Sequence, residues 1–289
     1  MSSVLLDVRL ADDYEARHLA GAVNQPVFEV QFPDEIQKRF PDRETAFRVY
    51  GADGTSLEAE MAAEKLRRLG YKEVTLVEGG LAGREQAGDA VETGTPLPTP
   101  PQAPEGRQAL DLEASQVHWT GRNLLNAHHG SVAIAEGFLE FSGGALTGGD
   151  ILLDLARMDC FDLAGGPMHD VLIAHLHNDD FLDLEKFPNA RLKITGCREI
   201  SSHPGAVNHE IAAELTLKGV THPLTFPASC GITPEGQAAA QATFSLDRTR
   251  WGINYGSGKL FHRLAGHLVN DEIEFQVKIV TLAPDGQGQ

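Results

Sequence analysis

The chain has little of what marks several large protein classes. Its 289 residues hold three cysteines, Cys160, Cys197 and Cys230, an odd number without paired spacing, which argues against a disulfide framework and a cysteine-based zinc motif. No apolar run approaches the roughly 18 residues of a membrane span, and the opening Met1-Ser2-Ser3-Val4-Leu5-Leu6-Asp7 lacks a basic n-region and an apolar h-region. The expectation is a soluble, unexported, cytoplasmic protein. Positive charge is scarce as well: 24 Lys and Arg against 41 Asp and Glu leave a net charge of −17. A protein that binds nucleic acid needs a basic face to neutralise phosphates. Neither half conceals one, since residues 1–94 carry 11 basic and 18 acidic side chains and the remainder 13 and 23. The same shortage argues against stable association with an anionic membrane.

Five prolines between residues 93 and 106 describe an extended connector. We therefore divide the chain into a domain over 1–92, a linker over 93–106, a second domain over 107–282 and a tail over 283–289. Before the linker, strand candidates at 4–6, 47–50 and 74–77 alternate with helical stretches, which predicts an α/β domain with a parallel sheet. The clearest helix spans 56–69, with Leu57, Met61, Ala62, Leu66 and Leu69 on one stripe. Thr55 with Glu58 reads as its capping box and Gly70 as its stop.

After the linker the period changes to two. Ile211, Ala213, Leu215 and Leu217 alternate with their neighbours, as do Ile273, Phe275, Val277 and Ile279, the pattern of half-buried antiparallel strands. Further runs at 132–141, 151–155, 191–195, 224–227 and 238–246, with one helix near 169–180, predict a barrel or sandwich of about eight strands. Small residues, Ala133, Ala135, Ala213, Ala238, Ala240 and Ala242, are candidates for the inner face.

Leu5-Leu6-Asp7-Val8-Arg9, the segment from Tyr14 to Asn24, Leu69-Gly70-Tyr71 and Glu78-Gly79-Gly80-Leu81 resemble a rhodanese domain. That resemblance implies a small parallel-sheet fold with a cysteine nucleophile in the loop before the capped helix. The corresponding loop reads Gly51-Ala52-Asp53-Gly54-Thr55-Ser56, with Gly51 at the nucleophile position and Ser56 where an arginine is often found. Without a thiolate no persulfide forms, so the resemblance implies the fold and argues against the activity. The expected role is a retained scaffold that docks a protein partner or steadies its neighbour.

Six ordered segments resemble the YceI-like family of lipocalin-shaped, polyisoprenoid-binding proteins: Val117 to Arg122, His129-Gly130, His175 to Phe181, Phe187 to Ala190, Leu215 to Pro223 and Asp247 to Gly258. The resemblance implies an eight-stranded antiparallel β-barrel that holds an isoprenoid or other amphiphile. Ten buried methylene-sized groups contribute about 8 kcal/mol before ordering costs, enough for roughly micromolar affinity.

The candidate ligand-binding residues are Trp119, Arg122, His129, Phe138, Phe141, His175, Phe181, Phe244, Arg248, Trp251, Tyr255, Phe261 and Phe275. The aromatics are candidates for the barrel interior or for ordinary core packing. Trp119 and Trp251, each close to an arginine, are placed to receive a polar head, with an Asp247–Arg248 ion pair as the structural alternative. No HExxH spacing occurs, and neither His128-His129 nor His175-x-His177 is a ready chelate. No cofactor or metal is therefore expected; if one were bound, His129 and His175 would be its first candidates. The competing functional reading is an enzyme, a sulfurtransferase or metal-assisted catalyst that draws on the second domain's cysteines or histidines.

Overall fold

A computed structural model describes residues 3–203, 205–260 and 268–283. The chain divides into two compact units, Met1–Thr99 and Pro100–Gln289.

In the first unit β1 (Val4–Asp7) leads through α1 (Ala11–Ala16) and β2 (Arg17–Leu19) to β3 (Val23–Asn24) and α2 (Phe32–Arg39). Then follow β4 (Phe47–Tyr50), α3 (Glu58–Arg68), β5 (Val74–Leu76), α4 (Gly80–Gln86) and β6 (Val91–Thr93). The sheet runs β3-β1-β4-β5 with parallel pairing throughout, and β2 pairs separately with β6. Its core is aliphatic and aromatic: Leu6, Val8, Val27, Phe32, Ile36, Phe47 and Leu66 are fully buried or nearly so.

The stripe on α3 differs from expectation. Ala62, Ala63 and Leu66 face the core, whereas Met61 is 40% and Leu57 65% exposed. Small alanines let the helix lie close to the sheet, and that rotates the buried face away from the bulkier pair. The predicted capping box also fails: Leu57 is the N-cap, and no side chain caps it.

The second unit consists of β7 (Gly106–Ala109), β8 (Gln116–Arg122), β9 (Ala127–Ser142), β10 (Ala145–Cys160), α5 (Pro167–His177), β11 (Asn189–Glu199), β12 (His209–Leu217), β13 (Val220–Ile232), β14 (Ala238–Asp247), a 3-10 turn (Arg248–Trp251) and β15 (Glu272–Val280). Strands β8 to β15 pair in sequence, and β15 returns to β8, so eight antiparallel strands close a barrel while β7 adds to β9. Several strands outrun their hydrophobic signal. β13 contains Pro223 and Pro227, yet its pairing with β14 begins only at Ala228. Both prolines thus avoid that ladder, where a missing N–H would cost a bond.

Antiparallel closure gathers the β8–β9, β10–β11, β12–β13 and β14–β15 connections at one end of the barrel. The β9–β10, β11–β12 and β13–β14 turns lie at the other. The first end carries α5, the 3-10 turn and most of the polar motif residues. The tail residues 284–289 lie outside the described residues.

Candidate functional site

The loop after β4 is held by its own side chains. Asp53 Oδ1 accepts the N–H groups of Thr55 (2.7 Å) and Ser56 (2.9 Å) and the Thr55 hydroxyl (2.8 Å); these bonds hold the Asp53 carboxyl below its ordinary range. Glu58 folds back so that its Oε1 accepts the Ala52 N–H (2.5 Å) and the Ser56 hydroxyl (3.1 Å). A Cβ at Gly51 would run into the Glu58 carboxylate stem. Loop carbonyls are spoken for too, since Gly51 and Ala52 accept the N–H groups of Leu81 and Ala82 at 3.0 Å. Gly80, at φ +59, presses on this loop closely enough that a Cβ would lie 2.7 Å from the Asp53 nitrogen. The Asp7-Val8-Arg9 motif forms a buried ion pair, Arg9 Nη2 to Asp7 Oδ2 at 2.6 Å. His18 is committed to the Tyr14 carbonyl (2.7 Å) and to Glu92 (3.3 Å).

The barrel contains an apolar cavity of about 360 Å³ that the described residues leave partly open to solvent. Its wall is built mainly of Leu, Ile, Val and Phe from β8, β10, β11, β12, β14 and β15, including Leu153, Leu192, Leu215, Phe244, Phe275 and Val277. Leu153, Leu192, Phe244, Phe275 and Val277 are only partly buried although they point inward, because the void reaches them. The alanines do not open this space: Ala133 and Ala135 alternate with buried Val132 and Ile134 and therefore face out. Ala213 and Ala238 pack as core.

Helix α5 closes over the wall with Leu172, His175 and Leu176, one face at i, i+3 and i+4. Polar lining groups collect at this end: Arg122, Asn123, Asn126 and His128 around the β8–β9 turn, and His175 and Tyr255 across from it. The His175 ring meets Phe181 and Tyr255 edge-on, with centroids 4.9 and 4.6 Å away. A second cavity of about 70 Å³ lies toward the other end of the barrel. Ile151, Leu192, Phe244, Val277 and Ile279 line both.

Of the sequence candidates, Trp119, Arg122, His175, Phe181, Phe244, Arg248, Tyr255 and Phe275 line the large cavity. Four do not. Trp251 is fully buried and donates its indole N–H to the Leu215 carbonyl at 3.0 Å, so it is core. Phe141 packs in the core cluster near the opposite end. Phe138 lies under the Arg107 guanidinium at 3.5 Å. His129 turns outward toward Phe161, its centroid 6.2 Å from that ring. Phe261 lies outside the described residues.

Arg248 has a structural duty as well. It donates to the carbonyls of Asn270 (3.0 Å), Ile253 (2.6 Å) and Val269 (3.1 Å), with Asp271 at 3.7 Å. Asp247 is not its partner: it caps the 3-10 turn through Thr249 and pairs with Lys259 at 2.9 Å.

All three cysteines are free. Burial pushes the Cys230 thiol up to about 11 and raises Cys197 as well. Burial and the hydrogen bond to Asp162 push Cys160 up to about 11. Burial opposes ionisation of Asp162, yet the His129 N–H, the His128 ring and the Cys160 thiol outweigh it and hold that carboxyl well below its ordinary range. His129 and His175 do not converge. Sequence spacing missed His128, Met158 and the helix pair Leu172 and Leu176; for the pair, the i, i+4 spacing around His175 was the available signal.

The YceI-like domain pattern matches residues 109–281, most of the chain. The chain belongs to the YceI-like family. Residues 1–87 match the rhodanese-like domain pattern. Among relatives, a UPF0312 protein of Pseudomonas putida is 27% identical over 172 residues, 57% of this chain and 85% of that protein. A polyisoprenoid binding domain from Saccharophagus degradans is 14% identical, with 63% of this chain and all of that one covered at a TM-score of 0.46. The thiosulfate sulfurtransferase of Pseudomonas aeruginosa is 39% identical over 32% of this chain and 17% of its own, at a TM-score of 0.29. Among the described residues no helix is long and apolar enough to cross a membrane.

Proposed function

We propose that the YceI-like barrel is a carrier for an isoprenoid or other amphiphile with an apolar tail and a polar head, and that the rhodanese-like unit has no sulfurtransferase activity. The cavity of about 360 Å³ carries the first part of this reading. A packed core of this size tolerates few voids larger than a water molecule, so an apolar space bounded by branched side chains calls for a guest. The tail lies among Leu153, Leu192, Leu215, Phe244 and Phe275. The head meets Arg122, His128, His175 and Tyr255 at the end covered by α5. Apolar burial supplies the affinity, and the few polar groups supply orientation.

For the first unit, the support is chemical. Gly51 offers no sulfur, and Glu58 takes up the loop N–H that would face an anion. The raised thiols of Cys160, Cys197 and Cys230 make poor substitutes, since the thiolate is the nucleophile. Three free cysteines fit a reducing, cytoplasmic setting.

Solvent extraction of freshly purified protein followed by mass spectrometry tests the carrier role: a stoichiometric amphiphile is expected, and an empty barrel that takes up no apolar fluorescent probe would refute it. A thiosulfate–cyanide transfer assay of the same protein should stay at background.

A further inference from the structure

Where β9 meets the loop after β10, three side chains of different chemistry converge outside the apolar wall. His128 Nδ1 lies 2.8 Å from Asp162 Oδ2, and Cys160 Sγ lies 3.3 Å from Asp162 Oδ1. One ligand atom from each residue falls within 4.8 Å of the other two. The local backbone is built to hold them. Cys160 pairs across the ladder with Gly130, and a Cβ at Gly130 would overlap the Asp159 carbonyl, so glycine allows the two strands to close here. His129 then binds the loop from both sides, its carbonyl accepting the Phe161 N–H at 2.8 Å and its N–H donating to Asp162 Oδ1 at 2.9 Å.

We infer that His128, Cys160 and Asp162 form a site for a divalent transition-metal ion, zinc by the character of its donors. An imidazole nitrogen, a thiolate and a carboxylate are the ordinary zinc ligands, and bonds of about 2.0–2.3 Å place tetrahedral ligand atoms roughly 3.3–3.6 Å apart. The His128–Asp162 and Cys160–Asp162 separations of 2.8 and 3.3 Å already lie near that spacing. On binding, the Cys160 thiol gives its proton to solvent and the thiolate takes the metal; His128 binds as the neutral ring. Thiolate and carboxylate together cancel the dication, so a neutral centre sits beside apolar surface without an uncompensated charge. Three protein ligands leave the fourth position open, as in zinc sites that accept an exogenous ligand. Of the three ligands, His128 also lines the large cavity, whereas Cys160 and Asp162 do not. The site requires only these residues, whatever the barrel carries.

Tag-free full-length protein, reduced and stripped with chelator, is to be titrated with Co²⁺ alone and then with Zn²⁺. One Co²⁺ per chain should bind with a thiolate-to-cobalt charge-transfer band, and zinc should displace it. Cys160→Ser should abolish the band, while Cys197→Ser and Cys230→Ser leave it intact. His128→Ala should weaken binding at least about tenfold, since even outer-shell partners are worth about 10–100-fold. Absence of the band in the unaltered protein, its persistence in Cys160→Ser, or unchanged affinity in His128→Ala would each overturn the assignment.

Discussion

The two units treat a potential binding site in opposite ways. The 51–56 loop of the first unit is held by its own chain: Asp53 and Glu58 accept the N–H groups of Ala52, Thr55 and Ser56, and α4 donates to the carbonyls of Gly51 and Ala52. The barrel of the second unit leaves its centre unfilled, with inward-pointing Leu, Val and Phe side chains that do not meet. Inherited architecture is therefore a weak guide to use. What decides is whether side chains close the space that the backbone creates.

The largest effect that bears on this contrast comes from Trp251→Ala, which removes a fully buried side chain bonded to Leu215. It should cost the barrel about 3–5 kcal/mol in denaturant unfolding. Arg248→Met strands three carbonyls that the guanidinium now serves and should cost about 3 kcal/mol by the same measurement; a near-neutral result would return Arg248 to a purely ligand-binding role. Ala190→Phe, at a buried residue of the cavity wall, makes the barrel resemble the filled loop. Co-purified amphiphile should fall at least about tenfold, for a stability change within about 1–3 kcal/mol. In the first unit the reverse exchange is Gly51→Cys, which places sulfur against Glu58. Alone it should remain inactive in sulfur transfer, and the added Glu58→Ala should make the new thiol more reactive toward an alkylating reagent.

The smallest effect concerns pH. Burial holds His177 below the ordinary histidine value, so the unfolded chain takes up a proton at higher pH than the folded one. Stability from the neutral ring is present at neutral pH and is lost as pH falls through the ordinary histidine range toward the lower folded value. Protection factors of the α5 amides, taken relative to the intrinsic exchange rate at each pH, should fall over that interval, and His177→Phe should flatten the response.

Periodicity made most of the fold legible. Ile211, Ala213 and Leu215 are buried as their alternation predicts, and the strand–helix alternation of the first unit yields the parallel sheet. Facing was less legible where the alternating residues are themselves small and apolar. Nothing local tells Ala133 from Val132; only the register of β9 against β8 and β10 does. Aromatic identity likewise failed to separate Phe141 and Trp251, which pack, from Phe244 and Phe275, which bound a void. The approach of His128 to Cys160 and Asp162 spans more than thirty residues, beyond any chelate spacing in sequence. Its trace was Gly130, a strand glycine whose missing Cβ signals close backbone approach.

Phe244 stacks between Phe226 and Phe275, with centroid separations of 4.4 and 5.8 Å. It also lines both the large cavity and the small one toward the far end. If the barrel carries an amphiphile as proposed, these rings are expected to set the depth its tail can reach. For guests sharing one head group, each added carbon strengthens binding until the tail reaches Phe244, and longer tails gain nothing unless the stack parts. On that reading the barrel is expected to sort guests by length as well as by head chemistry, which a chain-length series of one head group would check.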